Sequence, residues 1–170
     1  MHLQESEYAP FYSGYIRNIT SEILDELKLQ LHTFPDFIKT IPEEKALYAY
    51  AEGKWTISEA LGHVLDVERV MAYRALSFAR DTTVNQPGFD ENIYTKNASY
   101  KNRTLASLTE EFILLRKSNL FLFESFSNGV LQNMGVANGK TVSVRALLHI
   151  IGGHLLHHKN VLEERYLSEL

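Results

Sequence analysis

Apolar residues recur three and four positions apart along most of the chain, whereas runs in which apolar and polar residues alternate are few. This spacing places the apolar side chains on one face of an amphipathic helix. It predicts four long helices, over residues 20–39, 56–80, 104–127 and 143–166. Four such helices in 170 residues predict an all-α four-helix bundle, formed by a single domain over residues 1–170.

Local signals indicate where these helices begin, bend and end. Thr56 and Glu59 have the spacing of a capping box, in which each side chain caps the backbone amide of the other residue. Pro35 is expected to bend or divide the first helix, because proline lacks an amide hydrogen. Asn128 and Gly129 are expected to stop the third helix.

The segments between the helices differ in character. Residues 8–19, YAPFYSGYIRNI, are aromatic and are predicted to form a strap that lies on the bundle. Residues 46–55 are expected to be an irregular or short extended connector, and residues 131–142 a turn region rich in Gly and Asn. Residues 81–103 form a long polar loop with room for one short helix near residues 90–97. Such long loops in compact domains are often functional, and this one permits a helix order other than simple up-and-down.

Composition and charge narrow the function classes. The formal charge is -4, so the chain lacks the basic surface that duplex nucleic acid requires. No apolar run approaches the roughly 18–20 residues that span a bilayer, and the first residues do not resemble a signal peptide. We therefore expect a cytoplasmic protein that binds neither nucleic acid nor membrane. Cysteine is absent, so a metal site must use His, Asp, Glu or water, and any thiol must come from another molecule.

The chain has seven histidines, and four of them lie within HIIGGHLLHH in the fourth predicted helix. At about 100° per residue, His158 lies about 40° from His154, and both fall in the apolar stripe. His157 falls at the margin of the stripe, and His149 falls on the far side, about 140° from His154. Histidine-rich segments can also be solvated surface. A buried imidazole pair without a partner is unfavourable, however, so the positions of His154 and His158 favour a shared metal ion.

The second predicted helix adds a third histidine, His63, on its apolar face. Three imidazoles from two helices leave coordination positions open, which is the pattern of catalytic rather than structural zinc sites. Gly62 and Gly153 directly precede His63 and His154. Glycine inside a helix costs roughly 1 kcal/mol relative to alanine, so each glycine indicates close approach of another helix, unless it is merely tolerated.

Other polar residues near these histidines each have two interpretations. Arg74 falls inside the apolar stripe of the second helix, where it forms an ion pair within the bundle or contacts an anionic substrate. Asp66, at the edge of that stripe, accepts a hydrogen bond from a ligand imidazole or is solvated. Glu68 and Arg69 fall away from the stripe and are expected in surface or inter-helix ion pairs. His157 either orients the site or faces solvent.

Four segments, taken in order, resemble the DinB family, also described as DinB/YfiT-like metalloenzymes. They are EGKWTISEALGHVLDVERVMAYRALSFARD, QPGFDENIY, RTLASLTEEF and VRALLHIIGGHLLHHKNVLEERY. The resemblance implies a four-helix bundle whose metal ligands are one histidine on the second helix and an HxxxH pair on the last. These positions match His63, His154 and His158. It also implies a divalent metal ion, most often zinc or nickel, and a homodimer.

The histidines and the resemblance together lead to two functional hypotheses. In the first, the chain is a metal-dependent enzyme acting on a small molecule, because family members with understood activity are transferases that use a low-molecular-weight thiol or are described as hydrolases. The metal would lower the pKa of a bound water or thiol, and no catalytic side chain beyond the ligands is identified. In the second, it is a non-catalytic, metal-stabilised bundle for ligand binding or stress response. An open cleft reaching the histidines favours the enzyme, and a plugged site favours the alternative.

Metal binding also predicts a pH dependence of stability. Neutral imidazole binds metal and imidazolium does not, so metal-linked stability should be fully present above the reference histidine pKa of about 6.5 and be lost as the pH falls through the pKa that metal binding lowers. We expect the metal-free protein to lack most of this dependence, because its histidines are then free to protonate.

Overall fold

The computed structural model describes residues 3–168 and confirms the four-helix bundle. Four long helices fall close to the ranges that the apolar spacing predicts, and His2 lies outside the described residues. We label the elements in chain order: α1 (Ser13–Arg17), α2 (Ile23–Ile38), α3 (Ile57–Arg80), β1 (Asn85–Gln86), α4 (Glu91–Asn97), α5 (Leu105–Glu124), α6 (Asn128–Leu131), β2 (Met134–Ala137), β3 (Lys140–Ser143) and α7 (Val144–Val161). A π-helical turn, Leu162–Leu167, extends α7.

Side-chain caps fix the starts of the three longest helices. The predicted capping box is present: the Glu59 amide donates to Thr56 Oγ1 at 3.3 Å, and the Thr56 amide donates to Glu59 Oε2 at 2.9 Å. Thr104 and Ser143 cap α5 and α7 through their hydroxyl oxygens. These caps satisfy amide groups that would otherwise lack a partner in the first helical turn.

Two local signals act differently from the sequence prediction. Pro35 does not divide α2, because it lies in the last turn and the helix ends shortly afterwards, at Ile38. Asn128 and Gly129 do not stop the third helix. Instead α5 ends at Glu124, and the Ser127 hydroxyl accepts a hydrogen bond that starts the one-turn helix α6.

The turn region rich in Gly and Asn is a β-hairpin. Strands β2 and β3 pair antiparallel, with Gly135 opposite Val142, and β1 adds a short parallel strand to β2. Asn138 and Gly139 form the turn with φ angles of 51° and 68°. Positive φ at both central residues is the geometry of a type I′ turn, which Asn-Gly favours.

The strap and the long loop both pack on the bundle. The strap helix α1 packs against α7, as the aromatic N-terminal segment predicts. The loop over residues 81–103 holds the expected short helix, α4, which Asp90 caps and which packs against α3. The strap and the loop therefore cover parts of the two helices that carry the candidate histidines.

The hydrophobic core forms two clusters that meet near the middle of the bundle. On α3 the change from one cluster to the other falls between Leu65 and Val67, and on α7 it falls between Ile151 and Leu155. His154 thus lies at the boundary between the clusters. Among the described residues, no helix is both long enough and apolar enough to cross a membrane.

A buried ion pair joins three helices within this core. Arg116 on α5 and Glu68 on α3 are 0% and 2% exposed, and they form two parallel hydrogen bonds of 2.8 and 2.9 Å. Arg116 also donates to the Leu27 carbonyl and to Gln30 Oε1 on α2. Glu68 is therefore in an inter-helix ion pair, and Arg69 likewise pairs with Glu111 across α3 and α5.

Candidate metal centre

The structure brings the three predicted histidines together between α3 and α7. One ring nitrogen from each of His63, His154 and His158 lies within 4.8 Å of the other two. His63 Nε2 and His154 Nε2 are 3.0 Å apart. His63 and His154 are buried, and His158 is partly exposed. The spacing of four along α7 places two of the rings side by side, and α3 supplies the third from across the bundle.

The donor set and its spacing suit a divalent metal ion. Nitrogen ligands about 2.0–2.1 Å from a tetrahedral zinc ion lie about 3.3 Å from one another. The 3.0 Å separation of His63 Nε2 and His154 Nε2 is close to that value. Three protein ligands leave a fourth position open to water or substrate.

The surroundings keep these imidazoles in the neutral form that binds metal. Burial lowers the pKa of His63 to about 4 and that of His158 to about 3, with a smaller effect from the charge of neighbouring histidines. Burial also holds the pKa of His154 well below its usual range. At neutral pH all three rings therefore offer a lone pair to a metal without first releasing a proton.

The remaining histidines of α7, His149 and His157, are not part of the group of candidate ligands. His149 Nδ1 lies 2.8 Å from the Arg145 carbonyl oxygen, on the far side of the helix as predicted. The exposed His157 packs its ring against those of Tyr15 and His158, with centroids 5.3 and 5.1 Å away. His157 therefore supports the neighbouring ring by packing.

Both glycines that precede a candidate ligand lie against another segment. A Cβ atom on Gly153 would clash with the backbone carbonyl of Tyr15 in the strap, and one on Gly62 would clash with the ring of Tyr100. The close helix approach that the sequence predicts is present at Gly153, where the backbone of α1 meets α7, whereas Gly62 meets the side chain of Tyr100. The partners are the strap and the turn before α5, rather than the facing histidine helix.

Two aromatic side chains contact the histidine rings directly. The Trp55 ring centroid lies 4.7 Å from that of His63, and the Tyr15 centroid lies 5.3 Å from that of His154. Sequence reasoning did not assign Tyr15 to the site. The aromatic composition of the strap was the available signal, but it does not show which strap residue meets α7.

Asp66 does not accept a hydrogen bond from a histidine ring in the described part of the chain. It interacts instead with the phenol of Tyr100, and its carboxylate lies 3.9 Å from Arg69 Nη1. The expected hydrogen bond from a ligand imidazole to Asp66 is therefore wrong. Tyr100 packs on this side of α3 at Gly62, and its phenol is the partner of the carboxylate.

Arg74 is buried, being 4% exposed, as its place in the apolar stripe predicts. Its Nη2 donates to the Pro87 carbonyl at 2.7 Å, its Nη1 lies 3.6 Å from Met71 Sδ, and its guanidinium lies 5.8 Å from the Phe89 ring centroid. Within residues 3–168 no carboxylate lies within ion-pair distance of it. The predicted ion pair is wrong, since the loop after α3 supplies a carbonyl oxygen there instead.

A cleft of about 450 Å³ joins the histidines to Arg74. Its walls include Trp55, Tyr15 and Phe89, and it opens to solvent beside Phe11, which is 61% exposed. Pockets of this size hold small organic ligands. The candidate ligands therefore lie at an accessible cleft rather than behind a plug of side chains.

Comparison with known proteins places the chain in a family. Residues 26–162 match the model of the DinB superfamily, so the chain belongs to that superfamily. No curated protein shows a significant match to the chain.

Two solved structures share the fold at low sequence identity. The first is YfiT from Bacillus subtilis, described as a probable metal-dependent hydrolase with an unusual four-helix bundle topology. It is 14% identical, with a TM-score of 0.75 over 99% of this chain and 93% of YfiT. The second is the DinB-like protein YjoA from Bacillus subtilis, 19% identical, with a TM-score of 0.62 over 88% of this chain and 91% of YjoA.

Proposed function

We propose that this protein is a metal-dependent enzyme that acts on a small molecule, either by hydrolysis or by transfer of a low-molecular-weight thiol. His63, His154 and His158 would hold a divalent ion, with zinc or nickel the first candidates. The observation that carries the proposal is the meeting of three neutral imidazoles at one side of an accessible cleft. Three nitrogen ligands with an open fourth position are typical of catalytic sites.

The chain's own groups supply binding and orientation. A divalent ion in such a site lowers the pKa of a water or thiol and so provides a nucleophile at neutral pH. Burial raises the pKa of the Tyr15 phenol, with the charge of Glu91 as a smaller cause. The phenol therefore keeps its proton and can donate a hydrogen bond within the cleft, next to His154. Because the chain has no cysteine, a thiol nucleophile must enter as a cosubstrate.

The accessible cleft is the reason to favour an enzyme over a metal-stabilised bundle without activity. A purely structural metal site is usually closed by four protein ligands. Here the described residues supply three, and the cleft reaches them. The description of YfiT as a probable metal-dependent hydrolase supports the same choice and favours hydrolysis as the first activity to assay.

The test begins with metal analysis of protein purified without a histidine tag. About one zinc or nickel per chain is expected, and chelation should remove it. Chelated and reloaded samples are then compared in two screens, one for hydrolysis of esters and amides and one for thiol transfer to electrophiles. Activity that is lost on chelation, restored by metal and absent in His154→Ala supports the proposal, with His149→Ala as the matched control. Protein that binds no metal at any of these steps contradicts it.

A further inference from the structure

We propose that Arg74 binds a carboxylate group of the substrate, so that this cleft accepts organic carboxylates with an apolar body. The proposal rests on the proposed function in taking the cleft as the substrate site. It adds the chemical class of the substrate and names a residue that would recognise it.

Arg74 carries a buried positive charge. A buried cation without a counter-ion is unfavourable, because burial removes water that no opposite charge replaces. The partners of Arg74 are a carbonyl oxygen, a thioether sulfur and the Tyr12 phenol, none of which is an anion. A planar guanidinium matches a carboxylate through two parallel hydrogen bonds, so a bound carboxylate would supply the missing charge.

Arg74 also has a suitable position relative to the three histidines. Arg74 lines the same cleft as the three histidines. It follows His63 by 11 residues, which is roughly 16 Å along the helix axis at 1.5 Å per residue. Helical side chains lean toward the N-terminus, and the contact with Met71 shows that Arg74 does so. The same lean applies to His63, so the guanidinium and the imidazole stay about three helical turns apart along α3, at two ends of one cleft that an elongated small molecule can bridge.

The wall of the cleft between Arg74 and the histidines is mainly apolar and aromatic. Tyr12, Val67, Met71 and Phe89 line the cleft there, and such a surface favours an apolar or aromatic substrate body. Glu91 also lines the cleft, but it is exposed and not within ion-pair distance of Arg74. One guanidinium neutralises one carboxylate. A phosphate dianion would leave a charge uncompensated in these surroundings, which favours the carboxylate.

The experiment is calorimetric binding of 4-phenylbutyrate and of its neutral amide, 4-phenylbutyramide. Both are measured with metal-loaded and with chelated protein, so that a carboxylate bound by metal is separated from one bound by Arg74. We expect the carboxylate to bind the wild-type protein at least about tenfold more tightly than the amide in both forms. Arg74→Gln should remove this preference. Arg80→Gln, an exposed position on the same helix, should keep it.

The outcomes separate this proposal from the proposed function. Equal affinities for acid and amide in the wild-type protein, or no binding of either, overturn it without any variant having to fold. A preference retained in Arg74→Gln also overturns it, and tighter binding of 4-phenylbutylphosphonate assigns the site to phosphate-type anions instead. A carboxylate preference in protein that binds no metal would refute the proposed function and leave the role of Arg74 standing.

Discussion

Two buried arginines occupy different regions of this bundle and have opposite surroundings. Arg116 lies between three helices, paired with Glu68 through two hydrogen bonds and with two further acceptors on α2. Arg74 lines the cleft and has no carboxylate beside it within the described residues. Burial alone therefore does not separate a structural arginine from a functional one. The separating property is whether the fold itself supplies the opposite charge.

The largest expected effect tests this contrast in the stability of the fold. Arg116→Met leaves the Glu68 carboxylate buried without its partner, which should lower the free energy of unfolding by about 3–5 kcal/mol. Arg74→Met removes a cation that has no partner charge, and its carbonyl acceptor belongs to the exposed Pro87, which water can reach. That variant should stay within about 1 kcal/mol of wild type. Urea unfolding of chelated protein measures both, and similar losses would contradict the contrast.

The next effect concerns the histidines at the other end of the cleft. Loss of a residue that only hydrogen-bonds to a metal ligand weakens metal binding roughly 10–100-fold. His63→Ala and His158→Ala remove candidate ligands themselves and should weaken metal binding by more than this. His149→Ala should leave the metal content unchanged, because its ring pairs with a backbone carbonyl on the far side of α7. Metal analysis after dialysis against a weak chelator gives the comparison. Equal metal loss from the His149 and His158 variants would refute the assignment.

A smaller effect is expected where the strap meets α7. Gly153→Ala introduces a Cβ atom against the Tyr15 carbonyl, and overpacking of this kind costs about 1–3 kcal/mol. Gly14→Ala is the matched control, since nothing lies within 4 Å of a Cβ atom there. Thermal melts of the two variants should diverge, with only Gly153→Ala destabilised. Equal melting temperatures would show that the strap moves aside without cost.

The pH dependence of stability should be visible even without metal. Below pH 6.5 the unfolded chain binds protons on the buried histidines, whereas the folded chelated protein binds them only near the lowered pKa values, about 4 for His63 and about 3 for His158. The free energy of unfolding therefore decreases as the pH is lowered across this window, by about 1.4 kcal/mol per pH unit for each such histidine. The structure thus corrects the expectation that metal-free protein lacks this dependence.

The matched comparison is chelated wild type against chelated His158→Leu, measured by unfolding between pH 4.5 and 7.5. Carboxylates elsewhere contribute equally to both proteins, so the difference between the curves reports His158 together with its charge interaction with His63 and His154. The variant should lose less stability on acidification by about 1.4 kcal/mol per pH unit. Parallel curves would mean that His158 takes up its proton as readily in the folded protein as in the unfolded chain.

The helices could be predicted from the sequence because their signals are local. The apolar spacing and the Thr56–Glu59 capping box depend only on residues a few positions apart, and the structure confirms both. The hairpin also has a local signal, since Asn138–Gly139 favours a type I′ turn. The residues that flank this turn lack a long alternating pattern, so the sequence predicts a turn region there and no strands.

The site could be predicted only in part, for a related reason. A helical wheel shows which side chains share one helix face, so His154 and His158 could be paired and His63 oriented toward them. It does not show what another segment places opposite that face. The carbonyl beside Arg74 comes from the loop after α3, and the ring beside His154 comes from the strap. The two interpretations of Asp66 stay open at the sequence level for the same reason, because its partner Tyr100 is distant in sequence.

Trp55 is the single tryptophan of the chain, and it lies against His63 at the wall of the cleft. The indole fluorescence of the folded protein therefore originates from one ring beside the candidate ligands. Protonation of His63, occupancy by a quenching ion such as nickel, and entry of a ligand all change the surroundings of that ring. The protein thus carries an intrinsic optical reporter beside the candidate metal ligands, without any added label.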